Sequence, residues 1–404
     1  MSNRRFGKFD YFVVIILLSS AFGNIGGSLQ INRILAIIFI PQLLVHVKKY
    51  FHCLKVYMAF SVFVIVYGIV SLMWTPSVSE GIKDIIYFIV HFLLFFEIIV
   101  FSKLAKNPLM SISSGCLTAI ILTLIVAFWE IITDNHLPMS VQESNTVIHS
   151  GREMIIRQFA SVTFGNYNGY VTYLCFLLPF VFYDLIPLKK TIRSIISMVT
   201  VLLSVIVITF NASRGGILCF TIMLIVYFYM QRKKIGFIIT LMTFVLTSIF
   251  IISYFNENLF SAIAMRLIEQ GFEDSSRIEI WEVTFKALLE TFGFGTGMGG
   301  LGPWMKSIDC NIINAPHNFF LELFAQLGVI IGLIFTVYVL KLYTKVLKIK
   351  ELNIKIPVLI ALVTLPIASI INSGYLFGGY LFTYFASIIV FIKYNHNPYL
   401  VDSE

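Results

Sequence analysis

The sequence predicts an all-α polytopic membrane protein with about twelve transmembrane helices. Composition, the length of the apolar runs and the alternation of charge along the chain carry that prediction. Hydrophobic side chains make up 58% of the 404 residues and charged ones only 12%, against about 45–50% and about 25% in soluble chains. Mean hydropathy is +0.89, and phenylalanine alone supplies 39 residues. A water-soluble fold of this size cannot hide so much apolar surface. A soluble enzyme, a nucleic-acid-binding domain and a disordered chain are therefore excluded. Porin-type barrels alternate apolar and polar residues along each strand, whereas FSVFVIVYGIVSLM and SIISMVTVLLSVIVITF are apolar throughout.

A helix needs about 20 apolar residues to cross the hydrocarbon core. Runs of that kind centre on residues 9–23, 33–47, 55–73, 84–101, 112–132, 168–186, 194–211, 214–230, 235–255, 317–340, 356–373 and 375–392. The first, YFVVIILLSSAF, has no small-residue cleavage pattern and reads as a span, not a signal peptide. An even number of spans puts both termini on one side. With the N-terminus inside, 20 of the 29 Lys and Arg residues fall in inner segments, as the positive-inside rule requires. The net charge of +8 then records orientation, not a nucleic-acid partner. The five cysteines, Cys53, Cys116, Cys175, Cys219 and Cys310, show neither CxxC nor metal spacing. Residues 1–404 read as a single integral membrane domain. The two sizeable outer segments are 133–167 and 256–316, the second being the large outer loop. Inner loops are short and basic and no GK[ST] phosphate loop occurs, so loop chemistry is expected outside, away from ATP.

Polar residues gather at the outer ends of helices. In NASRGGIL, Ser213 suits an N-cap and Arg214 would open the next helix. A helix N-terminus is already partly positive, so an arginine there makes sense if an anion sits between the two. The alternative is an arginine that snorkels to lipid head groups. In DSSRIEIWEVTFKALLE, Ser276 and Glu279 form a capping box. Ile278, Trp281, Phe285 and Leu288 recur at helical spacing, giving an amphipathic helix in the large outer loop. Arg277 lies in its first turn; the alternative reading pairs it with Glu273 or Asp274. In NAPHNFFLELFAQLGVIIG, His317 and Asn318 open a long span. A histidine at a helix N-terminus has its charged form disfavoured and can act as a general base; the alternative is a capping or interfacial role. Upstream, RQFASVTFGNYNGY brings Arg157, Asn166 and Asn168 to the outer surface. Arg266 in the large outer loop is a further substrate-binding candidate. Gly297-Met-Gly-Gly-Leu-Gly302 matches GxGxxG but lacks the preceding strand and the acidic residue beyond it, and reads as a flexible turn. Glu322 receives no role.

These motifs together resemble the O-antigen ligase and polymerase superfamily of bacterial membrane glycosyltransferases. The residues that carry the resemblance run in order over roughly 155–340. They are Phe164-Gly-Asn-Tyr-Asn168, Ser213-Arg214-Gly215, the Ser276-Arg-Ile-Glu-Ile-Trp281 helix with its G-x-G turn, and Pro316-His317-Asn318 with Leu321-Glu322 and Leu327-Gly328. The resemblance implies a GT-C-like helical fold, a polyprenyl-pyrophosphate-linked substrate and a site covered by the large outer loop. It implies no metal, nucleotide or other cofactor. The family's essential arginines carry over to Arg214 and Arg277 and its essential histidine to His317. Asn166, Asn168, Ser213 and Asn318 are carried as substrate-binding residues. Here Asn166-Tyr167-Asn168 replaces the family's Asn-Pro-Asn, so the proline-set turn is missing.

The expected activity is an inverting, metal-independent glycosyl transfer. It would lengthen a surface polysaccharide (O-antigen, capsule, exopolysaccharide or teichuronic acid) at the outer face of a bacterial cytoplasmic membrane. Two arginines would hold the pyrophosphate, and His317 would activate an acceptor hydroxyl. The expected partners are lipid-linked donor and acceptor and membrane lipid, with a flippase and a chain-length regulator as associated proteins. The competing readings are a ligase that moves the finished glycan to another acceptor and, further off, a transporter or flippase.

Overall fold

The computed structural model describes residues 5–27, 29–140, 148–150, 153–155, 159–186, 191–231, 275–308 and 315–396. Among these the chain is almost wholly helical. In order, the elements are α1 (Lys8–Ser19), α2 (Ile31–Ser71), α3 (Val78–Leu104), α4 (Pro108–Thr133), β1 (Ile148–Ser150), β2 (Glu153–Ile155), α5 (Tyr167–Val181), α6 (Ile192–Phe210), α7 (Arg214–Gln231), α8 (Ser275–Glu290), α9 (Leu301–Ser307), α10 (Phe319–Leu347), α11 (Leu352–Ala368) and α12 (Gly379–His396). Strands β1 and β2 form a small antiparallel hairpin that the sequence reading did not anticipate. The expected span 235–255, and with it Arg157 and Arg266, lies outside the described residues.

Six described helices, α2, α3, α4, α6, α7 and α10, are long and apolar enough to cross a membrane, and α11 and α12 are shorter apolar helices. The expected spans 33–47 and 55–73 form one 41-residue helical run, α2, with Pro41 inside it. Its contacts reverse direction along α3. Arg33 reaches Tyr87 and His91, and Lys103 lies over the Tyr50 ring. Tyr57 then packs on Phe95, and a Cβ on Gly68 would meet Ile85. Residues 33 and 68 would be about 50 Å apart in a straight helix, while Ile85 and His91 are about 9 Å apart on α3. The run therefore doubles back on itself.

Helix α5 forms the centre. Its sequence is apolar on all sides, as a helix buried all round must be, and every residue in it except Asn168 is buried. It packs against α4, α7 and α11. Two buried carboxylates tie helix ends together. Asp10 accepts from the backbone N–H groups of Gly7, Lys106 and Asn107 and from the Ser111 hydroxyl. Asp184 pairs with Arg193 at 2.8 Å and accepts from the hydroxyls of Ser113 and Ser197.

The amphipathic helix is present as α8. Ile280, Thr284 and Ala287 point inward, packed with Leu301, Met305 and Ala325. Ile278, Phe285 and Leu289 are exposed, so two apolar stripes flank one polar stripe. The glycine-rich segment that follows is not a loose turn. Residues 295–300 are buried, and Met298 exchanges hydrogen bonds with α2 and the turn after it: its N–H donates to Ser71 Oγ and its carbonyl accepts from Thr75. The same segment clamps a break in α10. Gly328 leaves the helix at φ 79°, Thr296 N–H donates to the Ala325 carbonyl and Val329 N–H to the Gly293 carbonyl. A Cβ on Gly328 would sit 2.5 Å from the Phe294 carbonyl oxygen, so only glycine fits there.

The approach of α7 to α5 rests on Gly216. A Cβ there would lie 2.4 Å from Val171 Cγ1 and 3.0 Å from Ile208 Cγ2. Gly216→Ala is expected to cost about 1–3 kcal/mol through overpacking, read as a lower Tm in detergent. Because the obstruction is chiefly a side chain, adding Val171→Ala should recover part of that loss. An unchanged Tm in Gly216→Ala contradicts the close approach.

Candidate functional site

The polar motifs converge on one turn, residues 369–372, at the C-terminal end of α11. A helix end leaves its last carbonyls without intrahelical partners, and here other segments use them. The Ser369 carbonyl accepts from Phe319 N–H at 2.9 Å. The Ile370 carbonyl accepts from Arg277 Nη1 at 2.9 Å, with the guanidinium at the partly negative end of a helix. Ile371 Cγ1 lies 2.9 Å from where a Cβ on Gly215 would stand, so the Arg214-Gly215 helix start abuts the same turn. Asn372 Oδ1 faces Asn166 Nδ2 at 3.5 Å.

The turn is itself fixed from below. Tyr375 donates its hydroxyl to the Ala368 carbonyl at 2.7 Å and accepts from Asn372 N–H at 2.9 Å. Glu322, buried one turn into α10, accepts from Tyr375 N–H at 3.2 Å. That gives Glu322 a positioning role that the sequence reading left blank.

Each candidate residue is held by local chemistry. Ser213 caps α7, its hydroxyl oxygen accepting from Gly216 N–H at 3.4 Å, as the SRG pattern predicts. The same hydroxyl lies 3.4 Å from Asn168 Oδ1, which couples the starts of α5 and α7. Arg214 is the first residue of α7 and is exposed. Asn166 caps α5 by accepting from Gly169 N–H at 2.6 Å, so it closes the turn without the missing proline. Asn318 caps α10, accepting from Phe320 and Leu321 N–H groups at 3.0 and 3.2 Å.

His317 does not open that helix. It stands one residue before the cap, in the left-handed region at φ 47°, and Ala212, two residues before Arg214, sits at φ 45°. Non-glycine residues in this region cost about 1–3 kcal/mol each and cluster at functional sites. Trp281 Nε1 donates to the Pro316 carbonyl at 2.8 Å, so the helix that carries Arg277 also fixes the backbone that carries His317.

Several residues that build the site were not legible as such in the sequence. Asn211 is fully buried and pairs both ways with the Ala160 backbone, at 2.8 and 2.9 Å. Glu130 is likewise buried. It accepts from the N–H groups of Ser161 and Val162 at 2.7 and 2.8 Å. Together these two side chains hold the segment leading into Phe164-Gly-Asn-Tyr-Asn168. The Asn372-Ser-Gly374 turn signal was the one available pointer to the hub. Two polar clefts flank Gly374. One, of about 350 Å³, is lined by Glu80, Asp84, Lys306, Pro316, Glu322 and Gln326 among others. The other, of about 330 Å³, is lined by glycines and by the amide side chains of Asn24, Gln30, Asn32, Asn166 and Asn372 among others.

A family model described as O-Antigen ligase matches residues 199–337, the segment that contains Arg214, Arg277, His317 and Asn318. The teichuronic acid biosynthesis protein TuaE of Bacillus subtilis (strain 168) is 22% identical over 306 residues, which cover 71% of this chain and 60% of that protein. The chain therefore spans less than two thirds of the length of that relative. With its apolar helices, the chain is a multi-pass membrane protein similar to the O-antigen ligase and polymerase superfamily.

Proposed function

We propose that the chain polymerises polyprenyl-pyrophosphate-linked oligosaccharide repeat units into a surface polysaccharide at the outer face of the cytoplasmic membrane. One observation carries this reading: the starts of α7 and α8, which bear Arg214 and Arg277, and the segment leading into α10, which bears His317, meet on the 369–372 turn. A glycan donor on a lipid pyrophosphate needs an anion holder at the leaving group and a base at the nucleophile. Guanidinium groups supply charge together with a planar fork of N–H donors. In the transfer, the acceptor hydroxyl oxygen attacks the anomeric carbon as its proton passes to the His317 imidazole. The bond from that carbon to the pyrophosphate oxygen breaks, and the electron pair leaves with the lipid pyrophosphate. Arg214 and Arg277 stabilise the charge that develops there. Single displacement inverts the anomeric centre. With two guanidinium groups in place of a cation, turnover is expected to survive EDTA.

A ligase would use the same chemistry on a different acceptor, and the description of the matched family favours that second reading. Incubation of purified protein with lipid-linked repeat units separates the two. A ladder of glycan lengths, unchanged by EDTA, supports the polymerase. A single transfer to an acceptor other than the repeat unit, with no ladder, supports the ligase.

Arg214→Lys and Arg277→Lys keep charge but lose the fork, and both should be severely impaired in turnover. His317→Gly removes the imidazole and also relieves the left-handed backbone. It is expected to keep its Tm and its donor binding while turnover falls about a hundred- to ten-thousand-fold. Near-normal turnover in His317→Gly removes the histidine from the mechanism. Lost donor binding reassigns it to recognition.

A further inference from the structure

The amide-lined cleft beside Gly374 holds no group that the proposed chemistry uses directly. Its polar lining comes from Ser20 after α1, from Asn24, Gln30 and Asn32 around the start of α2, from Asn166 at the cap of α5, and from Asn372, Ser373 and Tyr380 near the start of α12. Among the described residues no Lys, Arg, Asp or Glu side chain lines it, in contrast to the cleft on the other side of Gly374. It therefore offers nothing to neutralise a pyrophosphate, and its amides suit an uncharged partner rich in hydroxyl groups.

Asn32 gives the clearest sign that something binds here. Its side chain is only 7% exposed, and Oδ1 has no hydrogen-bond partner among the described residues. A buried acceptor left unmatched is destabilising, and a hydroxyl donor in the cleft would offset that cost. Phe164 and Tyr380 also line the cleft, with ring centroids 6.4 Å apart and nearly perpendicular planes, so an apolar ring face accompanies the amides. The volume of about 330 Å³ lies near the lower limit for small-molecule sites. Asn372 belongs to the turn whose Ile370 carbonyl receives Arg277, which connects the cleft to the anion-holding part of the site.

We propose that this cleft is a neutral-sugar subsite that takes a ring of the lipid-linked glycan, with Asn32 Oδ1 accepting one of its hydroxyl groups. The proposal rests on the polymerase reading and adds the group that selects the glycan apart from its pyrophosphate. A site built to pair with a hydroxyl rejects ligands that lack it.

The test measures the affinity of the full chain in nanodiscs for two probes. One is undecaprenyl pyrophosphate, and the other is the same lipid carrying the strain's own repeat unit. Asn32→Leu and Gln30→Ala should each weaken binding of the glycan-bearing lipid by about tenfold and leave the bare lipid unchanged. Gln30 is partly exposed and its Nε2 donates to Asn24 Oδ1, also in the cleft lining, at 3.2 Å, so its replacement perturbs the cleft and not the buried core. Unchanged affinity of both variants for the glycan-bearing lipid overturns the subsite. Equal losses for both lipids also overturn it and assign the two side chains to packing. A wild-type protein that binds neither lipid overturns the polymerase reading itself.

Discussion

A helix that ends inside a packed protein leaves carbonyl groups that must find donors elsewhere. Helix α11 ends at Ala368, and the carbonyls of Ser369 and Ile370 receive the backbone of α10 and the guanidinium of Arg277. That requirement brings to the turn segments about 50 and 93 residues away in the sequence. Gly215 and Asn166 join them through contacts that do not depend on charge, one by lacking a Cβ and the other through its amide. The turn is rigid because Tyr375 closes it and Glu322 holds Tyr375. Placement of reacting groups is worth most when it is made before the substrate arrives.

The membrane character of the chain was legible because it depends on composition and run length, which are properties of the sequence taken alone. So was the cap at Ser213, which accepts from Gly216 N–H as its residue type predicts. Asn166 and Asn318, read as substrate-binding residues, also act as caps. The helix bearing Arg277 begins at Ser275, so Ser276 lies inside it and does not cap it. Local rules were weaker where packing decides. The expected stripe of α8 did not mark its inner face, which is Ile280, Thr284 and Ala287, while Ile278 and Phe285 in that stripe face outward. The glycine-rich segment looked mobile because glycine lacks a side chain. In the fold that same lack lets Gly297 and Gly300 lie against Ser71 and Thr75.

The site was legible as a set of motifs but not as an arrangement. Arg214, Arg277 and His317 stood out because charge and imidazole are rare in so apolar a chain. The residues that assemble them are ordinary ones: Ser369, Ile370, Asn372, Tyr375 and Trp281. Their roles come from backbone groups and long-range hydrogen bonds, which leave no periodic trace in a sequence. His317 shows the same limit, since its position before the cap at positive φ follows from how Pro316 is held by Trp281.

The turn after α11 gathers the segments that bear Arg214, Arg277 and His317, and a designed disulfide tests that convergence most directly. A Cβ on Gly215 would stand 3.9 Å from Ile371 Cβ, within the about 3.5–4.5 Å that a disulfide requires. Gly215→Cys combined with Ile371→Cys, with the native cysteines replaced by serine, should form an intramolecular disulfide under mild oxidation, detected by mass spectrometry of the joined peptides. Two free thiols after oxidation, in a protein that remains folded, would contradict the convergence on which the account is built.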